Sequence, residues 1–233
     1  MGISQASTVA EVATALPATI KVFQQHGIDF CCGGKRPLAD ACAARGLDVN
    51  ALIAELQAAT IAGDTDRNWE QAPMADLVAH IQQRFHEPLR AELPRLEAML
   101  ARVVSRHGDR YPDTLLPLER TFEVLSADLL EHMAKEDAVL FPAIVALEEG
   151  SGGGLGGMIS SPIGVMEAEH DAAGRALGEM RRLTSGYAPP ADACPTFRGL
   201  YYGLTELERD MHQHVHLENN ILFPRAVGLA RSR

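Results

Sequence analysis

The chain has 233 residues, of which 46% are hydrophobic and only 5% are aromatic, and its formal net charge is -10 at pH 7. An acidic chain without a basic cluster repels phosphate backbones and anionic lipids, which argues against nucleic-acid and membrane-surface partners. No segment approaches the roughly 18 uninterrupted apolar residues of a membrane span. Glu11 and Lys21 also interrupt the stretch most like a signal peptide. We therefore expect a cytoplasmic protein.

The N-terminal part, residues 1–60, is predicted to be a small domain of short helices. Thr8 and Glu11 match a capping box, and Pro17 stands where the next helix would begin. Residues 61–73 lose helical periodicity and gather Gly, Asp, Asn and Pro, which is typical of a linker. We place the domain boundary in this segment.

The remaining residues, 74–233, are predicted to form an antiparallel four-helix bundle. Apolar residues recur at helical spacing over 77–100 and again over 115–145. The glycine-rich segment Gly150–Gly157 is predicted to be a flexible crossover between two helix pairs. The predicted fold class is all-α.

An internal repeat carries the candidate chemistry. Residues 132–144 (HMAKEDAVLFPAI) and 214–226 (HVHLENNILFPRA) share a His-x-x-x-Glu pattern followed by Leu-Phe-Pro. His and Glu at this spacing project from one face of a helix. His86 and His170 precede the two copies at nearly equal distances along the chain. Antiparallel hairpins therefore place these residues of all four helices in one layer. The candidate metal ligands are His86, His132, Glu136, His170, His214 and Glu218.

Four imidazoles and two carboxylates in one buried layer are more polarity than a helical core tolerates without coordination. Such a set without thiolate suits iron, manganese or zinc, and two glutamates from opposite helices can bridge two ions. The abundance of histidine favours two non-haem iron ions.

The other histidines are predicted to lie outside this layer; they are His26, His80, His107, His212 and His216. The last two flank His214 but share a helix face nearly opposite to it. His107 is too far along an unbroken helix from His86, unless that helix folds back.

Prolines inside the helical segments predict local distortion. Pro88 and Pro94 remove backbone hydrogen bonds in the first long helix, so a kink near the metal layer is expected. Pro142 and Pro224 occupy equivalent points in the two repeats. They indicate either a duplicated bend or the ends of both helices.

The four cysteines, Cys31, Cys32, Cys42 and Cys194, do not form a disulfide framework and are expected to be thiols in a reducing compartment. Cys31 and Cys32 stand beside a glycine pair and close to Lys35 and Arg36. Nearby cations lower a thiol pKa, so the pattern favours a redox or iron-transfer role over simple packing. We expect this domain to dock near the metal end of the bundle.

The hairpin-spaced histidines and the two His-x-x-x-Glu pairs resemble the hemerythrin-like domain. DFCCGGKRPL, residues 29–38, resembles the N-terminal domain of the iron-sulfur cluster repair proteins. Together they resemble the iron-sulfur cluster repair di-iron family, also called RIC, YtfE, ScdA or DnrN. The resemblance implies a carboxylate-bridged di-iron centre, which can also carry an oxo bridge, on the six candidate ligands. It also implies repair of clusters damaged by oxidative or nitrosative stress.

Three functions stay open on the sequence. The first is cluster repair, by iron donation or by reduction of nitric oxide to nitrous oxide, with damaged iron-sulfur proteins as partners. The second is a hemerythrin-like carrier or sensor that binds oxygen or nitric oxide without turnover. The third is a partner-binding scaffold with a structural metal. The sequence does not decide whether the chain is an enzyme, or whether it is a monomer or a homodimer.

Overall fold

A computed structural model of the chain describes residues 2–61, 68–151 and 159–232. Within these ranges every regular element is helical and there is no strand, so the predicted all-α fold is confirmed. Part of the predicted linker, 62–67, and most of the predicted glycine-rich crossover, 152–157, lie outside the described residues. None of the described helices combines the length and apolar character that a membrane span requires.

The N-terminal domain contains four short helices around its own core. They are α1 (Val9–Ala15), α2 (Ile20–Gln25), α3 (Leu38–Ala43) and α4 (Val49–Ile61), with a 3-10 turn at Pro17–Thr19. The predicted capping box is present, because the Thr8 hydroxyl accepts from the backbone N–H of Glu11 and the Glu11 carboxylate accepts from that of Thr8. Phe23, Phe30 and Leu56 are fully buried in the core.

Four long helices form the bundle, and three of them contain a π-helical turn. The first bundle helix comprises α5 (Met74–Ile81), a π-turn (Gln82–His86) and α6 (Glu87–His107). The second comprises α7 (Pro112–Lys135), a π-turn (Glu136–Leu140) and α8 (Phe141–Glu149). The third is α9 (Ser160–Leu183), and the fourth comprises α10 (Pro195–Leu217), a π-turn (Glu218–Leu222) and α11 (Phe223–Arg231). The first helix packs on the second and fourth, and the second packs on the third.

Each π-turn is followed by one residue and then a proline, which is Pro88, Pro142 or Pro224. Proline has no N–H, and its ring would clash with the carbonyl four residues earlier, so the helix accommodates one extra residue. The residue before each proline donates its N–H to the carbonyl five residues back. The helices therefore continue through Pro142 and Pro224 rather than ending there.

Candidate metal centre

The structure brings the six predicted ligands together in one buried layer, where none is more than 3% exposed. They form two overlapping groups, in each of which the ligand atoms lie within 4.8 Å of one another. One group contains the His86–His214 pair and the other contains the His132–His170 pair. Both groups share Glu136 and Glu218. Three of the six residues lie at a π-turn, which widens the helix at this layer.

The histidine pairs point their ring nitrogens at each other. Nε2 of His86 lies 2.9 Å from Nε2 of His214, and the same distance separates Nε2 of His132 from Nε2 of His170. Oε2 of Glu136 lies 3.2 Å from Nε2 of His132 and 3.5 Å from Nε2 of His86. One carboxylate oxygen therefore faces a histidine of each pair.

Glu218 divides its two oxygens between the pairs. Oε1 lies 3.0 Å from Nε2 of His214, and Oε2 lies 3.2 Å from Nε2 of His170. Each of the two buried carboxylates thus spans both histidine pairs, although they do so in different ways.

Unsatisfied polar atoms test whether this set fits a metal. Among the described residues, both carboxylate oxygens of Glu136, Oε2 of Glu218 and Nδ1 of His214 are buried without a hydrogen-bond partner. A buried carboxylate oxygen without a partner costs free energy unless a cation or a donor compensates it. An imidazole and carboxylate set without thiolate is chemically suited to that cation. The residues therefore fit a metal site.

Outer hydrogen bonds orient three of the four histidines. The Nδ1 atom of each forms a hydrogen bond with a side-chain oxygen. The partner of His86 is Asp137 (2.9 Å), that of His132 is Glu169 (2.7 Å), and that of His170 is Asn219 (2.8 Å). Such partners direct Nε2 toward a metal. None of these three hydrogen-bond partners is predicted by the repeat of His-x-x-x-Glu. One signal was available, since Asp137 and Asn219 directly follow the two glutamates at equivalent points of the repeat.

Aromatic rings enclose three of the histidines. Phenylalanine stacks on each, Phe141 on His86 (5.5 Å between ring centres), Phe223 on His170 (6.0 Å) and Phe85 on His214 (5.4 Å). Phe141 and Phe223 are the phenylalanines of the duplicated Leu-Phe-Pro motif. The repeat therefore supplies packing as well as ligands.

When no metal is bound, electrostatic interactions within the layer stabilise the charged forms of His86, His132 and Glu218. Burial alone would lower the pKa of His132, but the carboxylates of Glu136, Glu218 and Glu169 outweigh it and raise the pKa to about 9. The pKa of His86 is also raised, because Glu218 and Glu136 outweigh burial. Burial opposes ionisation of Glu218, yet its histidine neighbours hold the pKa of that carboxyl well below its usual range.

A groove of about 430 Å³ between α7 and α9 reaches the layer at His132 and His170. Lys135 and Glu169 also line it, with Nζ of Lys135 2.6 Å from Oε1 of Glu169. The same Glu169 holds Nδ1 of His132 through its other oxygen. One histidine pair is therefore in contact with a surface groove.

The N-terminal domain docks on the third and fourth bundle helices beside the layer. The Phe30 carbonyl accepts from Nδ2 of Asn220 (3.2 Å) and from Nδ1 of His216 (3.3 Å). The Phe30 ring packs edge-on against His212 and His216. Burial lowers the pKa of His216 to about 4, so its ring is neutral. These two histidines lie on the docking face.

The Cys31–Cys32 turn is organised by Asp29. The Asp29 carboxylate accepts from the backbone N–H of Cys31 (2.9 Å), Cys32 (3.1 Å) and Gly33 (2.9 Å). The Cys32 thiol lies 3.5 Å from the backbone carbonyl oxygen of His170. The turn is thus in contact with the backbone of a candidate ligand.

The expected lowering of the thiol pKa is wrong for Cys31. A hydrogen bond with Cys32, burial and the negative charge of Asp29 raise the pKa of the Cys31 thiol well above its usual value. Its Sγ donates to Oδ1 of Asp29 at 3.2 Å. The nearby cations that motivated the expectation are outweighed, because the fold buries the thiol against a carboxylate. All four cysteines are free thiols.

The remaining histidines contact other groups and belong to neither ligand group. His26 pairs with Glu55, His80 stacks on Trp69, and His107 packs on Phe197. Since α6 runs unbroken to His107, that residue stays at the far end of the bundle.

Known proteins match both parts of the chain. Residues 5–60 match the ScdA_N family, described as a domain of unknown function, and residues 77–226 match the hemerythrin HHE cation binding domain. The iron-sulfur cluster repair protein YtfE of Yersinia pseudotuberculosis is 40% identical over 220 residues, which cover 94% of this chain and 96% of that protein. The protein of the same name from Yersinia pestis matches with the same identity and coverage. The chain therefore belongs to the YtfE family, with an ScdA-type N-terminal domain and a cation-binding hemerythrin bundle.

Proposed function

We propose that this chain repairs damaged iron-sulfur clusters and that its bundle holds two iron ions. One ion would lie between His86 and His214 and the other between His132 and His170. Glu136 and Glu218 would bridge them. The observation that carries the proposal is Glu136. Both of its buried oxygens lack a hydrogen-bond partner among the described residues, and its Oε2 faces a histidine of each pair.

Bound iron supplies one-electron chemistry toward nitric oxide or oxygen, and it is also a source of iron for a damaged cluster. The protein side chains orient and enclose it. Asp137, Glu169 and Asn219 hold three imidazoles in the orientation that ligation requires. The groove beside His132 and His170 admits a small ligand.

The cysteine pair acts, in this proposal, in thiol redox chemistry or iron transfer. The Cys32 thiol touches the His170 backbone, so the pair lies next to one metal position. Because the Cys31 thiol is neutral, it must lose its proton when it is oxidised or when it takes an iron ion. Movement of the Cys31 thiol away from the Asp29 carboxylate would make loss of this proton easier.

The proposal extends to organisation and partners. The domain limits are 1–60 for the cysteine domain, 61–73 for the linker and 74–233 for the bundle. The partners are damaged iron-sulfur proteins of the cytoplasm, where reducing conditions keep Cys31 and Cys32 as thiols. A carrier or sensor of oxygen or nitric oxide would use the same ligands, but it has no evident need for thiols docked at His170.

The first experiment replaces the two bridging carboxylates with isosteric amides, Glu136→Gln and Glu218→Gln. The matched control is Glu208→Gln, a buried glutamate of α10 that belongs to neither ligand group. We expect about two irons per chain in the wild type and control, and loss of iron and of its visible absorption in the double variant. Iron retained without both carboxylates would overturn the bridged site.

Repair is tested by recovery of an iron-sulfur enzyme damaged by nitric oxide. We expect the wild type to restore activity and the Cys31→Ala, Cys32→Ala variant to restore less at equal iron content. Cys194→Ala is the control, since this half-buried thiol lies at the start of α10. Undiminished repair by the double cysteine variant contradicts the thiol role. Reversible binding of nitric oxide without repair would favour the carrier.

A further inference from the structure

A second cavity, of about 530 Å³, lies between the N-terminal domain and the first and fourth bundle helices. We call it the Trp69 cavity. Ala13 and Pro17 line it on one side, and Trp69, His80 and Phe85 line it on the other. A cavity of this volume at a domain interface, lined by aromatic rings and a few polar groups, is typical of small-molecule sites. Asn68 and Gln213 supply polar groups here.

The aromatic wall of this cavity is anchored. Trp69 is the single tryptophan of the chain. Its backbone carbonyl accepts from Nη1 of Arg225 at 2.7 Å, and that of Ala72 accepts from Nη2 of the same guanidinium at 2.6 Å. The indole also stacks on His80, with 4.6 Å between ring centres. The bundle therefore holds a flat apolar surface in place at the cavity.

A row of neighbouring rings connects Trp69 with the candidate metal layer. The ring centres of His80 and Phe85 are 6.0 Å apart, and those of Phe85 and His214 are 5.4 Å apart with the two planes nearly parallel. His214 is also the candidate ligand whose Nδ1 has no hydrogen-bond partner among the described residues. The Phe85 ring covers one flat face of the His214 imidazole. Delocalised rings in van der Waals contact couple electronically better than rings separated by water.

We propose that the Trp69 cavity binds a planar aromatic electron donor of the reduced-flavin class, and that the rings of Trp69, His80 and Phe85 conduct its electrons to the metal layer. The inference rests on the proposed function, which needs a source of electrons. A reduced flavin releases two electrons and two protons and becomes oxidised flavin. One electron reduces each ferric ion to the ferrous form, and the protons pass to water.

Binding is tested with flavin mononucleotide and the iron-loaded full chain. Stacking on an indole quenches flavin fluorescence, so we expect saturable quenching with the wild type. Trp69→Leu should weaken the apparent affinity at least tenfold. Tyr202→Leu is the control, because Tyr202 is an aromatic residue that is 69% exposed and does not line the cavity. Quenching that does not saturate, or that is unchanged in Trp69→Leu, would overturn the site.

Conduction is tested by mixing photoreduced flavin mononucleotide with the ferric protein without oxygen and following the visible absorption. At saturating flavin, where a change in affinity no longer affects the rate, we expect His80→Leu to slow reduction at least tenfold. Equal rates in His80→Leu and wild type would overturn the electron route. Iron content, measured first, distinguishes failure of the proposed function from failure of the flavin proposal. A chain without iron that still binds flavin contradicts the proposed function, whereas an iron-loaded chain that binds no flavin contradicts only this inference.

Discussion

The two hairpins of the bundle, 74–149 and 160–231, contribute equivalent ligands but different surroundings. In the first, the residue after Glu136 is Asp137, which holds Nδ1 of His86. In the second, the equivalent residue is Asn219, which holds Nδ1 of His170. The geometry is the same, but one histidine is bonded to a charge and the other to a neutral amide. The duplicated candidate ligands therefore do not have equal surroundings.

The residues that precede the first histidine of each hairpin differ more. Phe85 stacks on His214, whereas its counterpart Glu169 binds Nδ1 of His132 and pairs with Lys135 in the groove. At this position a phenylalanine ring covers one histidine pair, whereas a glutamate of the surface groove binds the other. The surface groove therefore reaches the candidate metal layer on the His132–His170 side.

Single-histidine variants test whether the two positions are independent. His170→Ala should lower the iron content from about two to about one per chain, and His86→Ala should do the same, because each removes one ligand of one ion. Elemental analysis measures this, with His107→Ala as the control. Loss of both ions from either variant would show that the carboxylate bridges make loading all-or-none.

The pH dependence of the iron-free protein probes the groove-side pair. The neighbouring carboxylates raise the pKa of His132 in the folded protein to about 9, above the ordinary histidine value of 6.5, so protonated His132 stabilises the fold. This stability is fully present below pH 6.5 and is lost as the pH rises through 9, a change of roughly 3 kcal/mol. Urea unfolding at pH 6 and pH 9.5 measures it. His132→Gln should flatten the profile, and a profile that is equally steep in that variant would contradict the assignment to His132.

Exchanging the outer partners makes the two hairpins alike. Asp137→Asn should weaken iron binding by roughly 10- to 100-fold, because His86 loses a charged hydrogen-bond partner. Asn219→Asp should strengthen it by a smaller factor, since it adds a charge beside His170. Competition with a chelator measures both. If Asp137→Asn binds iron like the wild type, the charge of the hydrogen-bond partner of His86 does not affect iron affinity.

The smallest expected effect concerns the first π-turn. Pro88 follows His86 by two residues, whereas the equivalent residue in α9 is Ala172, and α9 runs without a π-turn. Pro88→Ala should restore an ordinary helical hydrogen bond and raise the free energy of unfolding of the iron-free protein by about 1 kcal/mol. Iron affinity should fall as His86 rotates. Pro94→Ala, inside α6 without a neighbouring π-turn, is the control. An equal change of iron affinity in the two variants would exclude this role of Pro88.

The fold class and the convergence of the six candidate ligands were predictable because they follow from local rules. Helical periodicity places His132 and Glu136 on one face, and the duplication repeats this with His214 and Glu218. The spacing from His86 and His170 to the turns then brings the four helices to one level. These properties depend on distances along the chain, which the amino-acid order contains directly.

Tertiary structure alone decided the surroundings. Which oxygen meets Nδ1 of His132, and which ring covers His214, depends on how helices face each other across the bundle. The pKa of the Cys31 thiol depended on its hydrogen bond with Cys32 and on burial against Asp29, so counting the nearby cations led to the wrong direction. The amino-acid sequence by itself determined an all-α chain with six converging ligands, because helical geometry is local. The different surroundings of the two candidate ligand groups and the ring contacts of Trp69 come from packing between segments far apart in the chain, which periodicity does not encode.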